Sequence, residues 1–206
     1  MVQKKSNAAR GRPSGYDLDE VVGRATAVFW AQGSDATSVD ELERATHLNR
    51  STIYTALGGK AGLFDRCVRA YVDSAENDLL APAITGTSGV DDLVALVSRV
   101  ADMLDSTQHP PGCFAIRSLV RGDGGEQVDR YREALRRAIT ATLRRAVDLD
   151  DLDPALGSSR AALVEAALLG MLAVGRSGGH DPRLLAGGLM EQIRHWRPPS
   201  SIDSAR

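Results

Sequence analysis

Apolar residues recur along this chain at every third or fourth position rather than every second, the spacing of amphipathic helices and not of strands. Val21, Ala25, Val28 and Phe29 form one such stripe, opened by an Asp17-x-x-Glu20 capping pattern and closed by Gly33, so a first helix is expected over about 18–32. A short second helix over about 39–45 follows Thr37 or Ser38 as cap, with Glu41 three residues beyond Ser38, and buries Val39 and Leu42. The third begins near Asn49 and ends by Gly58-Gly59. A fourth runs from Lys60 to about Leu80 and is expected to stop before Pro82. After the turn-forming ITGTSG, Val90, Leu93, Val94, Val97, Val100 and Leu104 share one face of a fifth helix over about 90–105. HPPGC breaks that pattern, and a short helix over 114–121 and a long one over about 126–147 follow. Asp153-Pro154 and Asp181-Pro182 each place a cap before a proline at the first helical position, starting helices that reach about Gly175 and Trp196. The expected fold is all-α, with about nine helices and no internal repeat.

Composition narrows this picture only a little. With 206 residues and 43% hydrophobic content the chain has the material for one domain, or for a small one joined to a larger. The net charge of -2 hides an asymmetry, because residues 1–70 carry ten Lys or Arg against eight Asp or Glu, and residues 71–206 carry fifteen against nineteen. Lys4, Lys5, Arg10 and Arg12 meet no acidic residue in the opening MVQKKSNAARGRPSG, which also lacks the apolar core of a secretory signal. No uninterrupted apolar run approaches the ~18 residues of a membrane span, since AALVEAALLGMLAVG is broken by Glu165. A cytoplasmic protein without membrane contact is expected. Cys67 and Cys113 are the only cysteines, which fits a reducing compartment and excludes a disulfide framework or a multi-cysteine zinc site.

The stretch ATHLNRSTIY carries the chemistry. Only THL separates the second and third helices, and small Ala45 opposite Ile53 lets them cross closely, as in a helix-turn-helix whose second helix enters a DNA major groove. Arg50 has the fork that matches guanine O6 and N7, and Ser51, Thr52 and Thr55 suit base edges or a thymine methyl. The hydroxyl of Tyr54, one turn on, is placed to reach a phosphate. Thr37 and Ser38 open the second helix and Lys60 opens the fourth, and helix N-termini favour phosphate.

In order and spacing, ATSVDELERATHLNRSTIYTALGGKAGLF resembles the DNA-binding domain of the TetR/AcrR family of bacterial transcription regulators, over about Asp17 to Tyr71. The resemblance carries the family's phosphate contacts to Thr37, Tyr54 and Lys60, and its base-reading positions to Arg50, Ser51, Thr52 and Thr55. Leu57 departs from the family's usual aromatic, which implies a packing variation, and Ala56 implies one base contact fewer. GCFAIRSLV and AALLGMLAVGRSGGHDPRLLAGGLMEQI resemble the family's remainder more weakly. The domain organisation expected is a flexible basic arm over 1–16, a helix-turn-helix DNA-binding domain over 17–62, a helical effector-binding and dimerisation domain over 63–198, and a disordered tail over 199–206.

Within the arm, RGRP resembles the core of an AT-hook, which assigns Arg10 and Arg12 to a narrow A/T minor groove. In the larger domain, Tyr71, Met103, Cys113, Phe114, Arg117 and Met171 are the candidates for an effector pocket. Cys113, at the start of a short helix, is either a thiol acidified by the helix dipole or, the favoured reading, a buried inert one. Small residues including Ala162 and Ala166, with the stripe Leu185, Leu189, Ile193 and Trp196, are the candidate dimer interface. His47, His109, His180 and His195 lie too far apart in sequence for a zinc motif, and neither a glycine-rich phosphate loop nor GxSxG occurs, so no catalytic residue, metal or cofactor is assigned. The expectation is a homodimeric repressor that binds a palindromic operator in double-stranded DNA and answers to a small apolar or electrophilic effector. The alternatives are an activator or constitutive DNA-binding factor without small-molecule input, and a helical enzyme.

Overall fold

A computed structural model describes residues 15–123, 125–175 and 181–198, and every regular element in them is helical. The order is α1 (Leu18–Gln32), α2 (Val39–Thr46), α3 (Arg50–Leu57), α4 (Gly59–Ser74), a π turn (Ala75–Leu80), α5 (Ala81–Thr85), α6 (Val90–Asp105), α7 (Phe114–Arg121), α8 (Gly125–Asp148), a 3₁₀ turn (Pro154–Leu156), α9 (Gly157–Val174) and α10 (Pro182–Arg194). With α4, the π turn and α5 taken as one rod, nine α-helical rods are present among the described residues.

Local chemistry sets the first boundaries. The Asp17 carboxylate accepts from the amides of Asp19 (2.9 Å) and Glu20 (3.4 Å), satisfying donors that the first turn of α1 leaves open. Ser38 and Glu41 form a reciprocal capping box on α2, where the Ser38 amide donates to the Glu41 carboxylate at 2.8 Å. Asn49 caps α3 by accepting from the Thr52 amide at 2.8 Å. The tightest connection is α3 to α4, made by Gly58 and Gly59 at φ of 79° and 74°. One turn on, a Cβ at Gly62 would stand 2.2 Å from the Leu57 carbonyl oxygen, so glycine there permits the close α3–α4 crossing.

Pro82 does not end the fourth helix. The π turn resets the hydrogen-bond register, and Pro82 then falls in the first turn of α5, where a missing N–H costs nothing. From α8, Arg130 grips this region, donating to Glu76 at 3.0 and 2.8 Å and to Asp73 at 2.6 Å. Helix α4 packs against α1 and α3 at its front and against α7 and α8 further along, and it runs without a break past residue 62. Helix α8 lies centrally, with Tyr131, Leu135, Ala138, Ile139 and Thr142 buried.

Helix α10 lies mainly along α6, and α9 mainly along α8, so the last two helices pack less on each other than on the rest of the fold. Gly157–Val174, at 18 residues with a mean hydropathy of 1.3, is long and apolar enough by composition to cross a membrane, contrary to the reading of its apolar run. The Gly-Ser start of α9 adds uncharged length that the apolar run alone does not show. Its two charged side chains are both held within the fold: Glu165 pairs with Arg136 at 3.1 Å, and Arg160 lies 5.1 Å over the Trp196 ring. Arg10, Arg12 and the segment 199–206 lie outside the described residues.

Candidate nucleic-acid interface and effector cavity

The start of α3 presents Arg50, Ser51, Tyr54 and Thr55 on its exposed side, with Thr52 half-buried, while Ile53 and Leu57 on the opposite side are buried. Buried Leu57 makes the departure at that position one of packing. Three of the four side chains assigned to base reading, Arg50, Ser51 and Thr55, therefore share one exposed patch. They are not equally free. Arg50 pairs with Asp40 on α2, and its Nε lies 3.7 Å from a Glu43 oxygen, so its fork faces two carboxylates rather than open solvent. The Thr55 hydroxyl donates to the Ser51 carbonyl at 2.7 Å, and that of Thr52 to Asn49 at 2.9 Å.

The assigned phosphate groups divide. Ser38 and Tyr54 are exposed, and the Tyr54 ring lies against Gly59, where a Cβ would meet it at 3.3 Å. Half-buried Lys60 reaches across to donate to the Ser34 carbonyl at 2.9 Å, tying the front of α4 to the α1–α2 turn. Thr37 is a correction: it is 2% exposed, and its hydroxyl donates inward to the Gly33 carbonyl at 2.6 Å, so its side chain pins the turn and does not face solvent. The same turn meets the larger half of the molecule, since the Ser34 amide donates to Asp123 at 3.4 Å and the Arg121 side chain packs over Gly33.

A cavity of about 380 Å³ lies where α1, α4, the π turn and α6 converge. Trp30, Tyr71, Ala75, Leu79 and Met103 give its apolar wall, and Ser74, Asp78, Arg99, Asp102 and His109 its polar part. Of the side chains assigned to an effector pocket, Tyr71 and Met103 line this cavity. Trp30, Arg99 and His109 were missed, because helical spacing gives the inward face of α1 but not its neighbour. Phe114 and Cys113 sit behind the wall, each 1% exposed or less, with the Tyr71 hydroxyl donating to the Cys113 sulfur at 3.2 Å. Arg117 and Met171 do not line this cavity; Arg117 instead donates to the Pro111 carbonyl at 2.7 Å.

Of the two states open to Cys113, the buried inert thiol fits and the acidified one does not. Burial pushes its thiol up, and the Tyr71 hydroxyl bond only partly offsets that. Cys67 is likewise pushed up, to about 11, by burial in the core beside α1. Neither thiol is poised as a nucleophile. Among the described residues no group of three or more His, Cys, Asp or Glu is arranged to hold a metal ion.

The interface candidates also separate. Ala162, Ala166 and Leu185 are exposed, in company with Leu163 at 55% and Leu184 at 74%. Ile193 is fully buried within the subunit, and Leu189 and Trp196 are partly buried against the same core, so these three turn toward α6 and α9 rather than outward.

Residues 22–67, which span most of α1 through the front half of α4, match the model for bacterial regulatory proteins of the tetR family. The match is confined to this module, which is similar to the DNA-binding part of that family. Two Escherichia coli (strain K12) relatives share sequence with it: the HTH-type transcriptional repressor ComR, 31% identical over 111 residues, and the HTH-type transcriptional repressor BdcR, 38% identical over 120 residues. These alignments take in 53% of the chain and 53% of ComR, and 58% of the chain and 60% of BdcR, so the chain spans little more than half the length of the curated relatives it matches. The TetR-type fold extends further than this sequence identity. The TetR family regulator CifR, solved as a cysteine mutant in complex with 26-base-pair operator DNA, superposes with a TM-score of 0.75 at 22% identity, over 91% of this chain and 100% of CifR. A TetR regulator from Chloroflexus aurantiacus superposes equally well, with a TM-score of 0.75 at 18% identity, over 87% of this chain and 95% of its own.

Proposed function

We propose that this chain is a DNA-binding transcription regulator of the TetR family that acts as a homodimeric repressor on a palindromic operator and is released by a small molecule. The observation that carries the reading is the exposed start of α3, where Arg50, Ser51 and Thr55 point away from a buried Ile53. Around it, Ser38, Tyr54 and Lys60 are placed for the phosphate backbone. The names of ComR and BdcR, both repressors, and the operator complex of CifR support the same reading. Residues 17–62 act as the DNA-binding domain and 63–198 as the effector and dimerisation domain, with α4 common to both. Arg10 and Arg12 add a minor-groove contact. The protein works in the cytoplasm, where its DNA lies, and catalysis has no part in the reading.

Dimerisation falls to the outer faces of α9 and α10. Ala162, Leu163, Ala166 and Gly170 recur at three and four on α9, and Leu184, Leu185 and Gly188 do so on α10; all are exposed in the single chain. Small residues among leucines let four such helices approach closely around a two-fold axis. The signal route is short: Trp30 walls the cavity, Ser34 lies four residues on, and its carbonyl holds Lys60. A ligand that favours one setting of α1 against α4 changes the distance between the two α3 helices. The test is binding of the full chain to genomic fragments across 50–200 mM salt. Affinity that falls steeply with salt and a footprint with two-fold symmetry support the reading; salt-insensitive or absent binding refutes it.

A further inference from the structure

The geometry points to a small aromatic carboxylate, or an equivalent planar oxyanion, as the ligand of the cavity walled by Trp30, with Arg99 and the Trp30 indole N–H as its anchors. This rests on the ligand-responsive reading above and supplies the ligand's chemistry. Nε and Nη2 of Arg99 and Nε1 of Trp30 are all buried without a hydrogen-bond partner. A guanidinium stays charged in a protein and has no acceptor to offer, so only an acceptor from elsewhere satisfies it. Leaving such donors buried and unmade is unfavourable, and more so for a charged group than for a neutral one.

The edge left empty is informative. Nε and Nη2 lie along one side of the guanidinium, and this protein uses that side three times elsewhere to hold a carboxylate: Arg130 on Glu76 at 3.0 and 2.8 Å, Arg136 on Glu165 at 3.3 and 3.1 Å, and Arg197 on Asp151 at 2.8 and 3.5 Å. Partly buried Arg145, too, is served by Asp92 at 2.8 Å and by the Ala83 carbonyl at 3.2 Å. Arg99 has the same edge and no carboxylate on it. The two acids of the cavity are engaged and stand at its exposed rim: Asp102 with Arg183 at 3.2 Å, and Asp78 with the Ser74 hydroxyl at 2.9 Å. The donors covered at the cavity wall therefore lack an acceptor, and a carboxylate supplies it in a two-point contact once Arg99 turns toward it.

The rest of the wall selects a ring. Trp30 stacks on His109 with centroids 4.6 Å apart and planes 11° from parallel, and meets Tyr71 edge-on at 5.2 Å. A flat ligand enters such a wall by extending the stack or replacing His109 in it, and about 380 Å³ suits one or two rings. Arg99 then turns its covered edge toward the bound carboxylate. Since Trp30 belongs to α1, the ligand touches the DNA-binding half directly.

The experiment uses the full chain with Trp196→Phe, which leaves Trp30 as the one tryptophan. Benzoate, salicylate and 1-naphthoate are titrated beside the matching alcohols and ammonium compounds, with Trp30 emission as readout and the melting temperature of every variant recorded. The acids are expected to saturate at least tenfold tighter than the alcohols, with the ammonium compounds weakest. Arg99→Met should erase that preference, and Arg99→Lys, which keeps charge without the fork, should leave a reduced one. If Arg99→Met fails to fold, a reduced preference in Arg99→Lys still decides for the proposal. Acids that do not saturate, alcohols that bind as tightly, or a preference that persists undiminished in both Arg99 variants would overturn it. Operator affinity is measured alongside: acids that bind through Arg99 without altering it leave the site standing and sink only the ligand-responsive reading.

Discussion

Replacing Asp40 by Asn should strengthen operator binding. In the free chain Asp40 and Glu43 hold the Arg50 fork, and both partners of the Asp40 pair are well exposed, at 58% and 71% for the side chains. An exposed pair of this kind contributes ~0.2–1 kcal/mol, which must be given up if Arg50 leaves it for a guanine. Two copies of Arg50 in a dimer make ~0.4–2 kcal/mol, or about 2- to 30-fold in operator affinity. Removing a carboxylate facing phosphates adds ~0.5 kcal/mol per pair at ~8 Å in water, a contribution that salt screens. Folding stability should move by no more than ~1 kcal/mol, because the pair is at the surface. Fluorescence anisotropy with a labelled operator duplex, for wild type, Asp40→Asn, Arg50→Ala and the double variant, reads this out as a cycle. Arg50→Ala alone should lose ~1–3 kcal/mol and relax preference at one position of each half-site. The gain from Asp40→Asn should shrink in the Arg50→Ala background to its screened part. An Asp40→Asn protein that binds no better, or a gain of equal size without Arg50, refutes the idea that α2 restrains the recognition arginine.

Three further outcomes follow from the same geometry. Lys60→Ala should weaken binding to all sequences alike and flatten the dependence on salt, in contrast to Arg50→Ala; a change in sequence preference would remove Lys60 from the backbone contacts. Leu184→Glu, on the exposed face of α10, should give monomers in sedimentation that keep their helical circular dichroism, whereas Ile193→Glu should unfold the chain, because Ile193 is buried within the subunit. Stability should fall between about pH 9 and pH 11, because the unfolded chain releases the Cys67 proton near its ordinary value of 9.0 while the folded chain holds it to about 11. That window contributes roughly 2–3 kcal/mol, and urea melts of Cys67→Ala should lack the part of the alkaline slope due to this thiol.

Much of the fold was legible because its signals are local. Asp17, Ser38 with Glu41, and Asn49 cap their helices through amides two or three residues away, so the pattern of short polar residues before apolar stripes locates α1, α2 and α3 almost to the residue. The exposed patch of Arg50, Ser51 and Thr55 at the start of α3 was legible for the same reason. What escaped depends on partners distant in sequence. Trp30, Arg99 and His109 meet only when α1, α6 and the loop before α7 pack together. Thr37 reads as a surface cap until the Gly33 carbonyl captures its hydroxyl. The stripe Leu185, Leu189, Ile193 and Trp196 is real, but spacing cannot tell which apolar residues face the subunit's own core, and Ile193 does while Leu184 does not. Pro82 misled because a π turn, invisible to a 3.6-residue period, absorbs it. For Cys113 the helix start is a local signal, while the burial that outweighs it depends on distant partners such as Tyr71.

Selection of duplexes from a random pool by the full-length protein, at near-physiological salt, tests the central claim most directly. The account predicts an enriched site with two-fold symmetry and half-sites about 34–36 Å apart or at a longer helical-turn multiple, with preference at one position of each half lost in Arg50→Ala. A pool that enriches no symmetric sequence, or one whose enriched site is unaffected by Arg50→Ala, would contradict it.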